Sequence, residues 1–291
     1  MKMKKLLVIL LMIPLLGFSQ RDWSKIEIDT TELTPGLHRL FVANAVSVVV
    51  FHGDDGTLVI DAAYEQSAER LMGKIMNLTD QPVKYLINTH LHADHTGGNK
   101  LIGREADIIA HPTVKEFLSQ EQRRGDNIIP AFPEYAVPNI LVDDNMDLEF
   151  NGERIQITHL PGGHTEGDLI VYFQEANVAV LGDLLFAGFF PFVDTNNGGH
   201  PVQFMENVER IINLFPAEVT FIGGHGPIFN HDDLQNWHND LAQTFAVVRE
   251  ARDRGLSIEE MKNQRILKKW EEMGNFFITE DRWIETIYPY L

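Results

Sequence analysis

His90-Leu91-His92-Ala93-Asp94-His95 sets three imidazoles and one carboxylate within six residues, just past the run Val83–Asn88. That run predicts a short strand, so the cluster stands where the chain leaves a sheet. In an extended start, residues i and i+2 face one side, which lets His90 and His92 share a metal ion. Once the chain bends, Asp94 and His95 can face a second one. Neutral imidazole and carboxylate are the donors that zinc, iron and manganese accept when no thiolate is present.

Three further candidates share that placement. His164 follows a predicted strand at 154–158 through Pro161-Gly162-Gly163, and Asp183 follows Val178–Leu181 through Gly182. His225 follows Val219–Ile222 through Gly223-Gly224. Side chains at the same ends of neighbouring strands converge, and α/β proteins place their ligands there. The glycines allow backbone to approach a crowded centre.

The rest of the chain reads as strand hairpins followed by a helix, twice over. Residues 37–51 and 57–61 are β-rich, with Gly53-Asp54-Asp55-Gly56 as the turn, and a helix is expected near 64–78. Ile108–Ala110 reads as another strand, and Thr113-x-x-Glu116 as a capping box opening a short helix. Residues 125–139, with Pro130, Pro133 and Pro138, read as a loop. Asn151-Gly152 turns a second hairpin, strands follow at 169–173 and 178–181, and a helix at 203–215 stops at Pro216. From Asp232 the pattern is helical, with a capping box at Ser257-x-x-Glu260. No fixed-period repeat or linker composition divides the chain, so one α/β domain over 20–291 with a helical tail from about 232 is expected.

Together the HxHxDH run at 90–95, His164 in PGGHTEGD, Asp183 in GDLLF and His225 in GGHGP resemble the metallo-β-lactamase superfamily, in order and spacing, across residues 37 to 230. The resemblance implies an αββα sandwich with a dinuclear site at one edge of its sheets. It also implies that His90, His92 and His164 hold one metal and Asp94, His95 and His225 the other, with Asp183 bridging them. Two Zn²⁺ per chain are expected; iron and manganese take the same donors. The chemistry implied is metal-assisted hydrolysis of a carbonyl compound by a bridging hydroxide, with Asp94 orienting it and passing a proton to the leaving group.

Composition narrows the classes. With no cysteine among 291 residues, disulfides, zinc–thiolate fingers, iron–sulfur clusters and a cysteine nucleophile are excluded. Twenty-four basic against 42 acidic residues give a formal charge of −18, which argues against nucleic acid as a partner. Lys2, Lys4 and Lys5, the apolar run Leu6 to Leu16, and Gly17 and Ser19 before Gln20 have the layout of a secretory leader. A spanning helix needs about 20 apolar residues, more than this run contains. Cleavage leaves Gln20–Leu291, a periplasmic or secreted chain free of the membrane, with a small-molecule substrate. An uncleaved anchor is the alternative.

Within the superfamily, Asp183 is similar to the bridging aspartate of the glyoxalase and lactonase branches rather than to the cysteine of many β-lactamases. The lysine with which many β-lactamases bind a substrate carboxylate, three residues on, is Phe186 here. Export fits an antibiotic-degrading role better than a glutathione thioesterase. Persulfide dioxygenases, with one iron on two histidines and an aspartate, are the competing class, and a non-catalytic metal-binding protein is a third reading. His200, beside Gly198-Gly199, is a candidate for catalytic help, and Asp168 for steadying a ligand or a turn. Phe186, Phe189, Phe190, Phe192, Phe132 and Tyr135 are candidates for an apolar cleft wall. The bond cleaved, the metal and the oligomeric state are not legible in the sequence.

Overall fold

A computed structural model describes residues 22–124 and 127–291; the leader expected at 1–19 lies outside the described residues. Strands β1 (Ile28–Thr34), β2 (Leu37–Val42), β3 (Val46–Gly53) and β4 (Gly56–Ile60) form an antiparallel meander. Helix α1 (Ala68–Leu78) crosses to β5 (Val83–Ile87), which pairs parallel with β4. Two short helices, α2 (Ala93–Thr96) and α3 (Asn99–Ile102), precede β6 (Asp107–Ala110) and α4 (Pro112–Leu118). A separate small hairpin, β7 (Gln122–Arg124) and β8 (Asn127–Ile129), leads to β9 (Ile140–Leu141), which closes a seven-stranded sheet in the order β1-β2-β3-β4-β5-β6-β9.

The second sheet has five strands: β10 (Asn145–Phe150), β11 (Glu153–His159), β12 (Leu169–Phe173), β13 (Val178–Phe186) and β14 (Thr220–His225). The first four are antiparallel; helix α5 (Pro201–Leu214) carries the chain over to β14, parallel to β13. Helices α6 (His231–Asp253), α7 (Ile258–Asn263) and α8 (Glu280–Ile287) follow. Among the described residues, no helix is long and apolar enough to cross a membrane.

The layers follow from the period-two alternation of the strands. Val49, Phe51, Leu58 and Ile60 of the first sheet meet Ile155, Ile157, Val171 and Phe173 of the second in one buried cluster. Phe51 packs edge-on against Phe173 with ring centroids 5.4 Å apart. The neighbouring positions Val48, Val50 and Val59 point the other way and pack with Leu71 and Ile75 of α1. Behind the second sheet, Ile170, Ala179 and Phe221 pack with Phe204, Val208 and Ile211 of α5 and Leu234, Trp237 and Leu241 of α6. The result is the expected αββα sandwich. Trp270, Trp283 and Ile287 of the tail belong to that same outer cluster.

Two local expectations are corrected. Helix α4 opens on His111, whose side chain accepts from the Thr113 amide with Pro112 following, not on a Thr113–Glu116 box. Pro112 has no amide hydrogen and fits the first helical turn, which moves the cap two residues earlier. Part of the loop expected at 125–139 is strand, because Asn127–Ile129 pairs with Gln122–Arg124 and satisfies its backbone across that pair.

His111 also bridges the two halves of the chain. Its ring stacks on His159 of β11 at 4.0 Å between centroids. Burial, with the His159 ring adding to it and Asp143 opposing it, pushes the His111 imidazole from 6.5 down to about 4. An unfolded chain takes up a proton near 6.5 that the folded chain refuses until about pH 4, so this stability is complete above 6.5 and drains away as pH falls. His111→Asn keeps a helix cap without the titration. Denaturant unfolding at pH 7 and pH 5 is expected to show that it removes on the order of 1 kcal/mol of the acid-induced loss.

Candidate metal centre

All seven candidates converge at one edge of the two sheets. His90 follows β5, and His92 caps the N-terminus of α2, whose first turn presents Asp94 and His95. His164 sits in the turn between β11 and β12. Asp183 lies within β13 and His225 ends β14, so both strands run further than their apolar runs suggest. Parallel pairing of β13 with β14 sets Gly182 beside Gly223 and Phe186 beside His225, which brings Asp183 and His225 to one level.

Two ligand groups result: His90, His92, His164 and Asp183, and then Asp94, His95 and His225, with the donor atoms of each within 4.8 Å of one another. In the first group His92 Nδ1 lies 3.1 Å from His90 Nε2 and 2.8 Å from His164 Nε2. Asp183 joins the groups. Its Oδ2 is 3.4 Å from His164 Nε2, 3.8 Å from His90 Nε2 and 3.3 Å from His225 Nε2. Its Oδ1 is 3.2 Å from His95 Nε2. Asp94 Oδ2 lies 3.5 Å from His225 Nε2 and 3.8 Å from His95 Nε2.

The outward ring nitrogen of each histidine is held, which fixes the nitrogen that faces the centre. His95 Nδ1 is 2.7 Å from Asp61 Oδ2 and His92 Nε2 is 2.8 Å from Asp194 Oδ2. His164 Nδ1 donates to the Phe192 carbonyl and His225 Nδ1 to the Ala45 carbonyl, each at 2.7 Å. His90 Nδ1 is 3.1 Å from Thr89 Oγ1, which itself donates to Asp61. Below His225, the buried Arg39 guanidinium donates to the Gly226 carbonyl at 2.5 Å. Asp61 and Asp194 were not singled out from the sequence. Asp61 directly follows β4, in the same strand-end position as the ligands, and that signal could have found it. Asp194 carries only a turn signal.

Charge and burial prepare the site for cations. Burial holds the His90 imidazole well below its usual range and His164 at about 4, so both are neutral donors. Burial works against ionisation of Asp183, but the imidazoles of His225, His95, His90 and His164 outweigh it and keep the carboxyl well below its ordinary value. Burial likewise opposes the rise at His95 and His225, where Asp183 is the strongest of the opposing charges. His95 Nε2 and Asp183 Oδ1 are buried and, despite their closeness, have no hydrogen-bond partner. Orphaned polar atoms of this kind cost about 1–3 kcal/mol each, and a cation between them removes the cost. Gly224 leaves the room, since a Cβ there would sit 2.0 Å from Asp183 Oδ1. The donor set and its spacing fit two metal ions.

The other candidates separate. Asp168 is buried and accepts from the Thr165 amide and, at 2.6 Å, its hydroxyl, bracing the turn behind His164; burial pushes it up to about 8. His200 lies away from the centre, exposed, capping α5 with its ring against Tyr290. Phe186 and Phe192 line a cavity of about 920 Å³ over the site, whereas Phe190 is core and neither Phe132 nor Tyr135 reaches the cavity. Removing an outer partner of a metal ligand costs roughly 10–100-fold in affinity. Asp61→Ala is therefore expected to weaken metal binding by about that factor, measured by chelator competition, with the unfolding transition of the metal-free protein still cooperative.

The comparisons agree with this geometry. A Lactamase_B family model, described as metallo-beta-lactamase superfamily, matches residues 41–241. The chain is 26% identical over 188 residues to a probable metallo-hydrolase, YqgX, of Bacillus subtilis, covering 64% of this chain and 85% of that one. It is 28% identical over 185 residues to the hydroxyacylglutathione hydrolase GloC of Haemophilus influenzae, covering 61% and 84%. Among solved structures, a metallo-beta-lactamase from Pontibacter korlensis superposes with a TM-score of 0.61 at 16% identity, over 74% of this chain and 99% of its own. The family match takes in every ligand candidate and strands of both sheets, and the chain belongs to the metallo-beta-lactamase superfamily.

Proposed function

We propose that this chain is an exported hydrolase that uses two zinc ions to cleave a carbonyl compound: a β-lactam, lactone, ester or thioester. His90, His92 and His164 would hold one ion and Asp94, His95 and His225 the other, with Asp183 shared. The position of Asp183 carries this reading. One carboxylate oxygen faces His90, His164 and His225, and the other faces His95. A single structural ion needs only four ligands and leaves no purpose for the rest. Bound there, a pair of divalent ions supplies Lewis acidity toward a carbonyl and lowers the pKa of water toward about 7.

The chain's own groups then have distinct tasks. Asp94 is the one candidate ligand carboxylate that is partly exposed, and it lines the cleft beside Asp183 and His225. It is placed to orient the attacking water by accepting its hydrogen bond, and to carry a proton to the leaving group. Asp61, Asp194 and the Ala45 and Phe192 carbonyls keep the imidazoles aimed, so no reorganisation is needed at the moment of reaction. Hydrolase names among the relatives support the reaction type. Export rests on the leader pattern of residues 1–19.

Purified Gln20–Leu291 is expected to contain near two zinc ions per chain by elemental analysis and to hydrolyse one class among nitrocefin, a lactone, an ester and a thioester. Asp94→Ala is expected to lower kcat by roughly 10²–10⁴-fold, the usual contribution of a positioned acid–base group. One iron per chain, with dioxygen uptake and no hydrolysis, would replace this reading with an oxygenase.

A further inference from the structure

The cleft over the metal centre is walled by rings, and the helical tail supplies two of them. Residues 275–279 join a 3₁₀ segment, Lys268–Gly274, to α8. This short connection presents Phe276 and Phe277 to the cavity that also holds His92, Asp94, Asp183 and His225. Both rings remain exposed, at 37% and 54%, although large apolar side chains at such a position would ordinarily be covered. The Phe276 ring lies 5.3 Å from the His225 ring and stacks on Phe189 at 4.9 Å. Phe277 meets Phe192 edge-on at 5.5 Å, and Phe192 in turn packs 5.6 Å from His92. Trp23 and Tyr64, in contact at 5.0 Å, line the cavity as well.

The connection is held at both ends, where the Asn275 amide donates to the Glu272 carbonyl at 3.2 Å and the Thr279 carbonyl accepts from the Trp283 amide at 2.9 Å. Ile278 between them is buried, and the segments beside it are tied down as well. The Met273 carbonyl accepts from the Phe190 amide at 2.9 Å, and Trp237 Nε1 donates to the Phe189 carbonyl at 2.9 Å. Trp270 and Trp283 are buried on either side of it. The tail therefore fixes two rings over the reacting centre while leaving their faces open.

Charge in the cleft points the same way. Among the described lining residues the sole cation is Arg123, an exposed side chain whose guanidinium lies 3.6 Å from Glu121. Asp194 is occupied by His92, and Phe186 occupies a wall position beside the metal ligands. A substrate with several carboxylates would find little to pair with, and its desolvation would go uncompensated.

We infer that the substrate is an uncharged ester or lactone with an apolar alkyl or aryl body, which seats against Phe276 and Phe277 while its carbonyl lies over the metal centre. This rests on the hydrolase reading above. The reaction consumes one water: its oxygen bonds to the acyl carbon and the acyl C–O bond breaks. One proton ends on the alcohol oxygen, and the other leaves the new carboxylic acid.

Binding and turnover test the two readings separately, using the metal-loaded full chain. Methyl ketones from 2-butanone to 2-nonanone present a carbonyl and an apolar body but cannot be hydrolysed. Calorimetric affinity is expected to rise about fourfold per added methylene over the series. Values of kcat/KM for p-nitrophenyl acetate, hexanoate and octanoate are expected to rise in parallel and to exceed those for S-lactoylglutathione and a penicillin. Phe276→Ala and Phe277→Ala are each expected to flatten both gradients, with unchanged metal content and unfolding midpoint. A flat ketone series in the unaltered protein, or faster turnover of the glutathione thioester or the penicillin, overturns the apolar-body inference and leaves hydrolysis standing. A rising ketone series without turnover of any ester supports the apolar cleft and overturns the hydrolase reading.

Discussion

The structure is governed by the cost of gathering five imidazoles and two carboxylates into one largely buried space. Unpaired polar groups in that setting are expensive, and charged ones more so. The chain meets the cost from outside the centre inward. Each imidazole gives its outer nitrogen to a carboxylate, a hydroxyl or a carbonyl, and the inner nitrogens crowd toward one another and toward Asp183. What remains unsatisfied, His95 Nε2 and Asp183 Oδ1, is a donor pair suited to a cation. Among the ligands, the polar atoms left without a hydrogen-bond partner thus fall where a cation would sit.

That frame needs two sheets. β5 delivers the HxHxDH turn, and β11, β13 and β14 deliver His164, Asp183 and His225 from the opposite layer. Each ligand group draws on both layers, so the interlayer core of Val49, Phe51, Ile157, Val171 and Phe173 sets how closely the ligands from the two sheets approach within each group. Contacts across the layers near the site add to this: Asp194 to His92, Ala45 to His225, and Arg39 to Gly226. The tail, packed through Trp270 and Trp283 onto the second sheet's outer cluster, adds the rings that shape access to the centre.

Much of the site was legible because metal ligation demands particular side chains at particular strand ends. The run at 90–95 is dense enough in donors to stand alone, and the glycine pairs before His164 and His225 mark where backbone crowds. Asp61 and Asp194 escaped notice for different reasons. Asp61 stands at a strand end as the ligands do, but as one carboxylate among 42 acidic residues outside any donor-dense run, whereas Asp194 lies in a turn with no strand directly before it. His200 was a candidate because its loop, Gly198-Gly199-His200, was expected to face the metals; the loop instead leads into the cap of α5.

The sequence by itself determined the alternation of hairpins and helices, the absence of thiolate, and the seven side chains available to metals. Those are properties of composition, period and local spacing, which a chain carries before it folds. The tertiary structure alone decided that Asp183 stands between two ligand groups, which nitrogen of each imidazole faces inward, and that Phe276 and Phe277 lie over the centre. These depend on side chains brought together by layer packing, and the interval along the chain does not encode the distance in space.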